Sequence, residues 1–461
     1  MSEAGAPSVA PPEALRETFM AEARRIDAQI MSLLDEFYLD ADRPAVAEIA
    51  DAASSDAHFF DEVRNAIMRH PSVQTGILSE RQAERVVDEA RSALYPQLSA
   101  SLRGEQSLVE RSSGGDSDFS PDAVLTVNQL LFDFGETFDR IEAAQNQVVA
   151  EKFTAQSQAQ QFALRAISAY FDVTRLQTLI LLAEDNLAQH RLLLEQVRAR
   201  SDARVGSQAD LMRARSRVAE AEGRLISITG EYEQVLAIYR ELFGAEPSHT
   251  DLPARDPLPR IDATALIDRA IENNPVYRST SAARVAAKFE SDAADASAWP
   301  SISAEVSGIK YGIDNPSDDD HEVVGMLRFD YPLFTGGRVT AQRERAELRH
   351  AQARNQEQST LLEVERQVRA TLSDLAAQTR RVQSQEMAVE AGRQTFADYM
   401  ELFLVGRREL TDLVDAQRDL FDDAVILINT RISMDVSRYV LLSLTGDLLP
   451  YFDVRELSVH E

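Results

Sequence analysis

The chain contains two copies of one sequence plan, and this duplication limits its possible folds more than any other feature. Four short strings recur in the same order about 202 to 204 residues later. The pairs are HPSV (70–73) with NPVY (274–277), ALYP (93–96) with SAWP (297–300), LFDFG (131–135) with LFTGG (333–337), and DLMRA (210–214) with DLVDA (412–416). One supersecondary unit has therefore been duplicated. A fold built in two copies is typical of an assembly wall or ring, and not of an active-site cleft.

The repeat divides the 461 residues into five segments. We predict a partly disordered N-terminal extension over 1–56, a first structural repeat over 57–245, a Pro-rich linker over 246–260, a second structural repeat over 261–450 and a C-terminal tail over 451–461. Proline restricts itself and its predecessor to extended conformations, so the linker should be extended. Apolar residues at helical spacing near 15–37 indicate a short amphipathic helix within the extension.

Both copies have the same predicted internal order, in which two strands precede a very long helix and a shorter one. The strands are 97–109 and 122–132, then 301–311 and 321–332; the helices are 136–203 and 207–243, then 337–403 and 408–444. Apolar residues recur every seven positions along the long helices, at Val173, Ile180, Leu187 and Leu194, and at Leu361, Val368, Leu375, Val382, Val389, Phe396 and Phe403. This period predicts left-handed coiled-coil packing. A helix of about 67 residues rises roughly 100 Å, which is too long for a globular core.

The fourth predicted strand alternates between apolar and charged residues. Val323, Leu327 and Phe329 face one way, whereas Glu322 and Arg328 face the other. Aromatic residues stand near the ends of the strands, at Tyr95, Phe132, Trp299, Tyr311, Tyr331 and Phe334. This pattern fits tilted transmembrane strands with an aromatic girdle, and it also fits a soluble antiparallel sheet packed on the helices.

The number of strands has a consequence for assembly. Four strands cannot close a barrel, because the smallest barrels need about eight. If these strands span a membrane, several chains must share one barrel. Two chains would supply eight strands and a filled interior, whereas three would supply twelve and leave room for a channel.

Composition excludes several classes of protein. The chain has 48 basic and 76 acidic residues, a net charge of −28, which argues against nucleic acid as a partner. It has no cysteine, which excludes disulfides, thiolate metal sites and a cysteine-anchored lipid. No run of 18 apolar residues occurs, so we predict no transmembrane helix. The start of the sequence shows no basic segment followed by an apolar one, so no secretory signal is visible.

The sequence contains no pattern typical of an enzyme. None of the seven histidines has a partner at metal-ligand spacing, and HExxH, GxSxG and phosphate-binding glycine loops are all missing. We therefore predict no catalytic residues, no metal site and no cofactor.

The recurring strings carry a resemblance to a known family. On the NP and YP/WP positions, the LFDFG and LFTGG turns and the VG…DL…A segments, the chain resembles the TolC family of outer membrane export channels over roughly 57–450. The resemblance implies a mainly α fold with a β-barrel portion. Each chain would supply a long α-helical coiled-coil tunnel and four membrane strands, and a homotrimer would complete a twelve-stranded barrel in the outer membrane, with the tunnel in the periplasm.

The resemblance also implies partners. They are a periplasmic adaptor, an inner-membrane ABC transporter and outer membrane lipid. The segment 197–211 is most similar to the branch that serves type I secretion, so exported protein is the expected cargo. The absence of cysteine argues against the lipid-anchored efflux branch. A small-molecule or drug efflux duct of the same family is the alternative. A soluble acidic coiled-coil scaffold, from another class, would explain the heptads but not the duplicated strand pairs.

Two aspartates in the second copy are candidates for a functional site. Asp412 and Asp415 are three residues apart, so they lie on one face of a helix. Acidic residues at a helix start also favour the positive end of its dipole, so the residues alone favour a simple solvated helix start. The resemblance implies instead that these positions form acidic rings at the periplasmic constriction of a trimer, where close carboxylates attract cations.

The resemblance further implies a gate latch made by Arg408, Asp210 and Phe403. Two departures from the family pattern affect this latch. Phe403 stands where tyrosine is found, and Ala209 replaces a hydroxyl residue. We therefore expect a weaker latch, or a direct pair between Arg408 and Asp210. Glycines at the turns from strand to helix complete the candidate sites, at Gly135, Gly336 and Gly337.

Overall fold

The structure is a computed structural model that describes residues 12–34, 48–105, 120–204, 207–247, 252–253, 262–313 and 320–454. Its elements are α1 (Pro12–Leu34), α2 (Glu48–Arg69), α3 (Pro71–Ser92), β1 (Gln97–Glu105), β2 (Ser120–Phe132), α4 (Glu136–Asp202), α5 (Gln208–Phe243), α6 (Ala263–Asn273), α7 (Pro275–Ala296), β3 (Ser301–Lys310), β4 (His321–Asp330), α8 (Arg338–Leu404), α9 (Leu410–Leu444) and α10 (Leu448–Tyr451). The first eleven residues, most of the linker and most of the C-terminal tail lie outside the described residues.

The helices differ from the sequence-based expectation mainly near the start of the chain. The extension contains α1, a helix of 23 residues, and α2 begins at Glu48, inside the segment that we assigned to the extension. The two long helices have 67 residues each and differ from the predicted ranges by a single residue at their ends. Seven-residue spacing predicts these helices well because every apolar residue of the ladder is at least partly buried. Val173, Val368, Val382 and Val389 are completely buried, whereas Ile180, Leu194, Leu361 and Leu375 are half-buried.

The residues divide into two compact units. The helical unit comprises Met1–Pro71, Ala159–Ala270 and Glu365–His460. The sheet unit comprises Ser72–Gln158 and Ile271–Val364. Each long helix contributes residues to both units.

The sheet unit contains one antiparallel sheet in the order β1-β2-β3-β4. Its central pair, β2 with β3, joins the two copies, with Val127 opposite Val306. Because directly paired residues share a face, the register separates two chemically different surfaces. The apolar face carries side chains that are 49–75% exposed: Leu98, Leu102, Leu125, Val306, Val323, Leu327 and Phe329. The opposite face carries Ser99, Ser101, Thr126, Asn128, Ser303, Glu305, Ser307 and Arg328.

This arrangement contradicts the alternative of a soluble sheet packed on helices. A soluble sheet would turn its apolar face towards a core and its polar face towards water. Here the apolar face is exposed, and such patches mark surfaces that contact a partner or lipid. On the polar face, Arg328 and Glu305 form an ion pair at 2.8 Å.

The glycine turns after the second strand of each copy have the same geometry. Gly135 has a φ of 94° and Gly337 a φ of 87°, backbone conformations that residues other than glycine rarely adopt. In the first copy, the Asp133 carboxylate accepts hydrogen bonds from the N–H groups of Gly135 and Thr137. In the second copy, the Thr335 hydroxyl accepts from the N–H of Val339. These bonds satisfy free N–H groups at the starts of α4 and α8.

The helical unit is centred on α9 and on an aromatic cluster. Phe59 is completely buried and makes edge contacts with Tyr170, Phe171, Tyr439 and Phe452. Two seven-residue rows of α9 face the interior, at Leu410, Gln417, Ala424 and Arg431 and at Val414, Phe421, Ile428 and Asp435. The polar members of these rows are paired inside the bundle. Gln417 donates to Asn186 and Gln189 of α4, and Arg431 lies 3.6 Å from Asp435.

One described helix is long and apolar enough to cross a membrane by length and composition alone. It is α4, and 67% of the relevant window is buried inside the structure. Such burial is typical of a core helix in a bundle, because a helix that faces lipid would expose its apolar side chains.

Burial of His190 makes the helical unit sensitive to acid. His190 is 7% exposed, and burial, assisted by Arg217 and Arg224, lowers the pKa of its imidazole to about 4. The unfolded chain, with an ordinary histidine pKa of about 6.5, therefore binds the proton first. The free energy of unfolding should fall as the pH falls from about 6.5 to about 4, by roughly 3 kcal/mol in total. The same scan of His190→Leu should lack this loss, with His350→Leu as the control; an unchanged acid slope in His190→Leu would contradict the assignment.

Candidate functional site

The candidate site is the turn between α8 and α9, which contains the sequence-predicted acidic and latch residues. Gly406 ends α8 in the left-handed conformation, with a φ of 74°. Its N–H donates to the carbonyl of Phe403 at 3.0 Å, and the N–H of Arg407 donates to the carbonyl of Leu402 at 2.9 Å. This pair of bonds is a Schellman motif, and it defines where the long helix stops.

An arginine from the first copy holds the end of α8. The Arg200 guanidinium on α4 donates to the carbonyls of Phe403 and Leu404, at 2.9 Å and 3.0 Å. It also lies over the Phe403 ring, 4.4 Å from the centroid. A positive charge at a helix C-terminus is favourable because the free carbonyls there carry partial negative charge. Burial lowers the pKa of Arg200, but an arginine stays protonated at neutral pH.

A second arginine from the first copy holds the start of α9. The Arg213 side chain on α5 donates to the hydroxyl of Thr411, in the first turn of α9. Nearby, Ser207 caps the start of α5 by accepting from the N–H of Ala209 at 3.1 Å. Helices α4 and α5 therefore each hold one side of the α8–α9 turn.

Arg408 has other neighbours than the expected ones. Its guanidinium donates to Asp412 at 3.0 Å, one turn along α9, and lies 4.3 Å from the centroid of the Tyr399 ring. Within the described part of a single chain, no hydrogen bond or ion pair links Arg408 to Asp210. The direct pair, one of the two alternatives expected, is therefore not formed within a single chain, where Arg408, in the turn before α9, binds the nearby Asp412. Phe403, 4% exposed, contacts Arg200 instead of Asp210.

The two aspartates of the proposed ring are partly exposed and each is close to an arginine. Their side chains are 40% and 43% exposed for Asp412 and Asp415. Asp415 lies 3.4 Å from Arg418, which is also paired with Asp419 at 2.9 Å. Each carboxylate is thus partly compensated within its own chain, which the sequence analysis did not anticipate. Among the described residues, no group of three or more histidine or acidic side chains could hold a metal ion.

The aromatic residues of the proposed girdle collect at one end of the sheet. Tyr95 and Trp299 precede β1 and β3, while Phe132, Tyr331 and Phe334 lie at or after the ends of β2 and β4. In an antiparallel sheet these positions share one end. The ring of Phe134 stacks on Trp299 at 5.5 Å. Tyr311 lies at the opposite end, where its hydroxyl donates to Glu322 at 3.0 Å.

The sequence analysis missed the roles of Arg200 and Arg213. Arg200 is one of four arginines between 191 and 204, and its type alone does not distinguish it from the others. Helical periodicity does distinguish Arg200. Val197 is 4% exposed, and position 200 follows it by three residues, so both lie on the buried side of α4. The bond from Arg213 to Thr411 has no comparable signal, because it depends on the relative height of α5 and α9.

Comparison with known proteins supports the same family. Outer membrane efflux protein BepC of Brucella suis is 26% identical over 377 residues, which is 80% of this chain and 81% of that protein. Alkaline protease secretion protein AprF of Pseudomonas aeruginosa is 23% identical over 373 residues, 77% of either chain. The solved structure of CusC, described as forming a transmembrane channel, has a TM-score of 0.78 at 18% identity. It covers 85% of this chain and 92% of its own.

The sequence model of the family described as outer membrane efflux protein matches residues 63–245 and 266–447, one match for each copy. Members of this family are homotrimeric outer membrane channels that work with an adaptor and an inner-membrane pump, and they are not enzymes. The fold, mainly α with a β-barrel portion, confirms the resemblance to TolC. The alternative of a soluble scaffold is therefore wrong. The chain belongs to the outer membrane efflux protein family, with its place in the outer membrane and its tunnel in the periplasm.

Proposed function

We propose that this chain is the exit duct of a type I protein secretion system, gated at the α8–α9 turn. The observation that carries the gate is the double attachment of this turn to the first copy. Arg200 on α4 binds the last carbonyls of α8, and Arg213 on α5 binds Thr411 at the start of α9. The turn cannot move away from α4 and α5 without breaking both attachments. In a trimer, three such turns around one axis would narrow the tunnel.

The acid pair supplies the proposed charge of the constriction. Asp412 and Asp415 are part-exposed acids in the first two turns of α9, and a trimer would place six of these carboxylates around its axis. Their arginine partners reduce the negative charge but do not reverse it, since Arg418 also serves Asp419. We expect cations to pass more easily than anions through such an opening.

The double variant Asp412→Ala and Asp415→Ala should raise the single-channel conductance and lower the preference for cations. Removing the two carboxylates leaves Arg408 and Arg418 less compensated, so the potential at the opening becomes more positive. Reversal potentials in planar lipid bilayers under a salt gradient measure this preference. The control with the same change of charge is Asp374→Ala with Asp398→Ala, at exposed positions of α8. Unchanged selectivity in the first variant would refute the acidic ring.

The choice of protein as cargo rests on the likeness to the secretion protein AprF and on the segment 197–211. The efflux protein BepC is slightly more similar to this chain, so small-molecule efflux is the second candidate. A deletion of the gene in its own host separates the two functions. We expect proteins to disappear from the culture medium while susceptibility to drugs and detergents stays unchanged. Increased susceptibility with a normal set of secreted proteins would overturn the secretion proposal in favour of efflux.

A further inference from the structure

Helix α1 is an addition to the duplicated fold. It ends at Leu34, whereas the family match begins at residue 63, and within the described residues no helix stands between α5 and α6, where the second copy would place a counterpart. One of its faces is nevertheless buried, with Ala23, Ile26, Ile30 and Leu34 between 0% and 8% exposed. Their spacing of three and four residues is that of a helix packed along one side. The exposed positions Arg24, Ala28 and Gln29 lie on the other side.

The contacts of α1 reach helices of both copies. Ala23 lies in a tightly packed pocket with Leu192 and Leu193 of α4, Phe396 and Met400 of α8, and Leu413 of α9. Arg25 is close enough to Asp185 on α4 for their charges to attract each other. A single short helix therefore touches the last third of α4, the end of α8 and the start of α9.

This position is next to the proposed gate. Met400 lies four residues before Leu404, where α8 ends, and Leu413 lies three residues after Leu410, where α9 begins. The two residues are therefore about 6 Å and about 4.5 Å along their helices from the turn. On α4, the pocket residue Leu193 is followed by Val197 after one turn and by Arg200 after two turns. Any displacement of the turn away from α4 would open the pocket around Ala23 and expose apolar surface.

We propose that α1 is a brace that holds the gate end of the tunnel in its closed arrangement, by tying α8 and α9 to α4. The proposal rests on the proposed gate at the α8–α9 turn. It adds a device that the duplicated fold does not contain. Opening requires either that α1 leaves its groove or that it moves with one copy and releases the other.

The test uses the full-length trimer in planar lipid bilayers. In the brace variant, Ile26→Asp with Ile30→Asp places two charges in the buried face of α1. In the matched control, Ala28→Asp with Gln29→Asp adds the same charges to its exposed face. We expect the brace variant to raise the mean conductance at least threefold and the control to leave it unchanged. Equal conductance of both variants and the unmodified protein would overturn the proposal, provided that both variants run as trimers in detergent.

A crosslink covers the case in which the brace variant does not assemble. The chain has no cysteine, so Ala23→Cys with Met400→Cys, which line the same small cavity, can be joined selectively by catalysed oxidation to a disulfide. We expect crosslinking to suppress the high conductance produced by Arg200→Ala in the same protein. Persistent high conductance after complete crosslinking would contradict a brace. The acid pair at 412 and 415 is unchanged in all of these proteins, so altered selectivity in the Asp→Ala variants tests the gate separately.

Discussion

Replacing Arg200 by alanine should release the end of α8 and shift the tunnel towards an open state. The change removes two hydrogen bonds from a charged donor to the carbonyls of Phe403 and Leu404. Bonds of this kind contribute about 1.5–3 kcal/mol each, and the contact with the Phe403 ring adds about 0.5–2 kcal/mol. A loss of about 3 kcal/mol in the closed state corresponds to roughly a hundredfold change in the ratio of closed to open channels.

Single-channel recording of Arg200→Ala measures this ratio directly. Arg198→Ala is the matched control, because Arg198 lies two residues away on the exposed side of α4. Arg200→Lys should have an intermediate effect, since an ammonium keeps the charge at the helix end but loses the planar guanidinium that lies over the Phe403 ring. If Arg200→Ala and Arg198→Ala gave the same open fraction, the attachment of α8 to α4 would not hold the gate.

Replacing Asp435 by alanine should destabilise the helical unit by about 3–5 kcal/mol, because it leaves Arg431 as an unpaired buried charge. Arg431 is 1% exposed and Asp435 is 5% exposed. Their closest approach is 3.6 Å, and the Nε and Nη1 atoms of Arg431 make no hydrogen bond to any described residue. Arg438, whose Nη1 lies 3.7 Å from Asp435, would lose the same partner.

Three variants separate the charge from the packing. Thermal unfolding of the detergent-solubilised trimer should show a large loss for Asp435→Ala. It should show little loss, or a gain, for the double change Arg431→Met with Asp435→Leu, because an apolar pair of similar volume removes the cost of burying charge. The control is Glu365→Ala, which breaks the exposed pair with Arg369 on α8 and should cost less than about 1 kcal/mol. A double variant as unstable as Asp435→Ala would show that this ion pair itself stabilises the bundle.

Features that repeat or alternate in the sequence are those that can be predicted from it. The long helices follow from the seven-residue ladder, because each of its apolar residues is buried or half-buried in the structure. The strand β4 follows from the alternation of Val323, Leu327 and Phe329 with charged residues. The glycine turns follow from LFDFG and LFTGG, since the positive φ at Gly135 and Gly337 selects glycine.

Features that depend on which helix stands opposite a residue are not predictable in this way. Arg408, in the turn before α9, binds Asp412 four residues later, whereas the family resemblance suggested Asp210 on α5. Arg200 reaches the end of α8 because of the height at which α4 ends beside it, and no local pattern encodes that height. The extension beyond the repeat gave only an amphipathic pattern. That pattern correctly indicates a helix with one buried face, but it does not predict that α4, α8 and α9 form the groove in which this face is buried.

The aromatic residues at one end of the sheet have a consequence for how the protein tolerates bilayers of different thickness. Tyrosine and tryptophan prefer the headgroup region, so a row of them fixes the depth of the strands at that interface. Among the described residues, the other end has Tyr311, whose hydroxyl is already bonded to Glu322. We therefore expect a thicker or thinner hydrocarbon layer to be accommodated at the end of Tyr311. The segments that enter and leave the strands beside Tyr95 and Trp299 should keep the same depth, so that hydrophobic mismatch is adjusted at one end of the strands only.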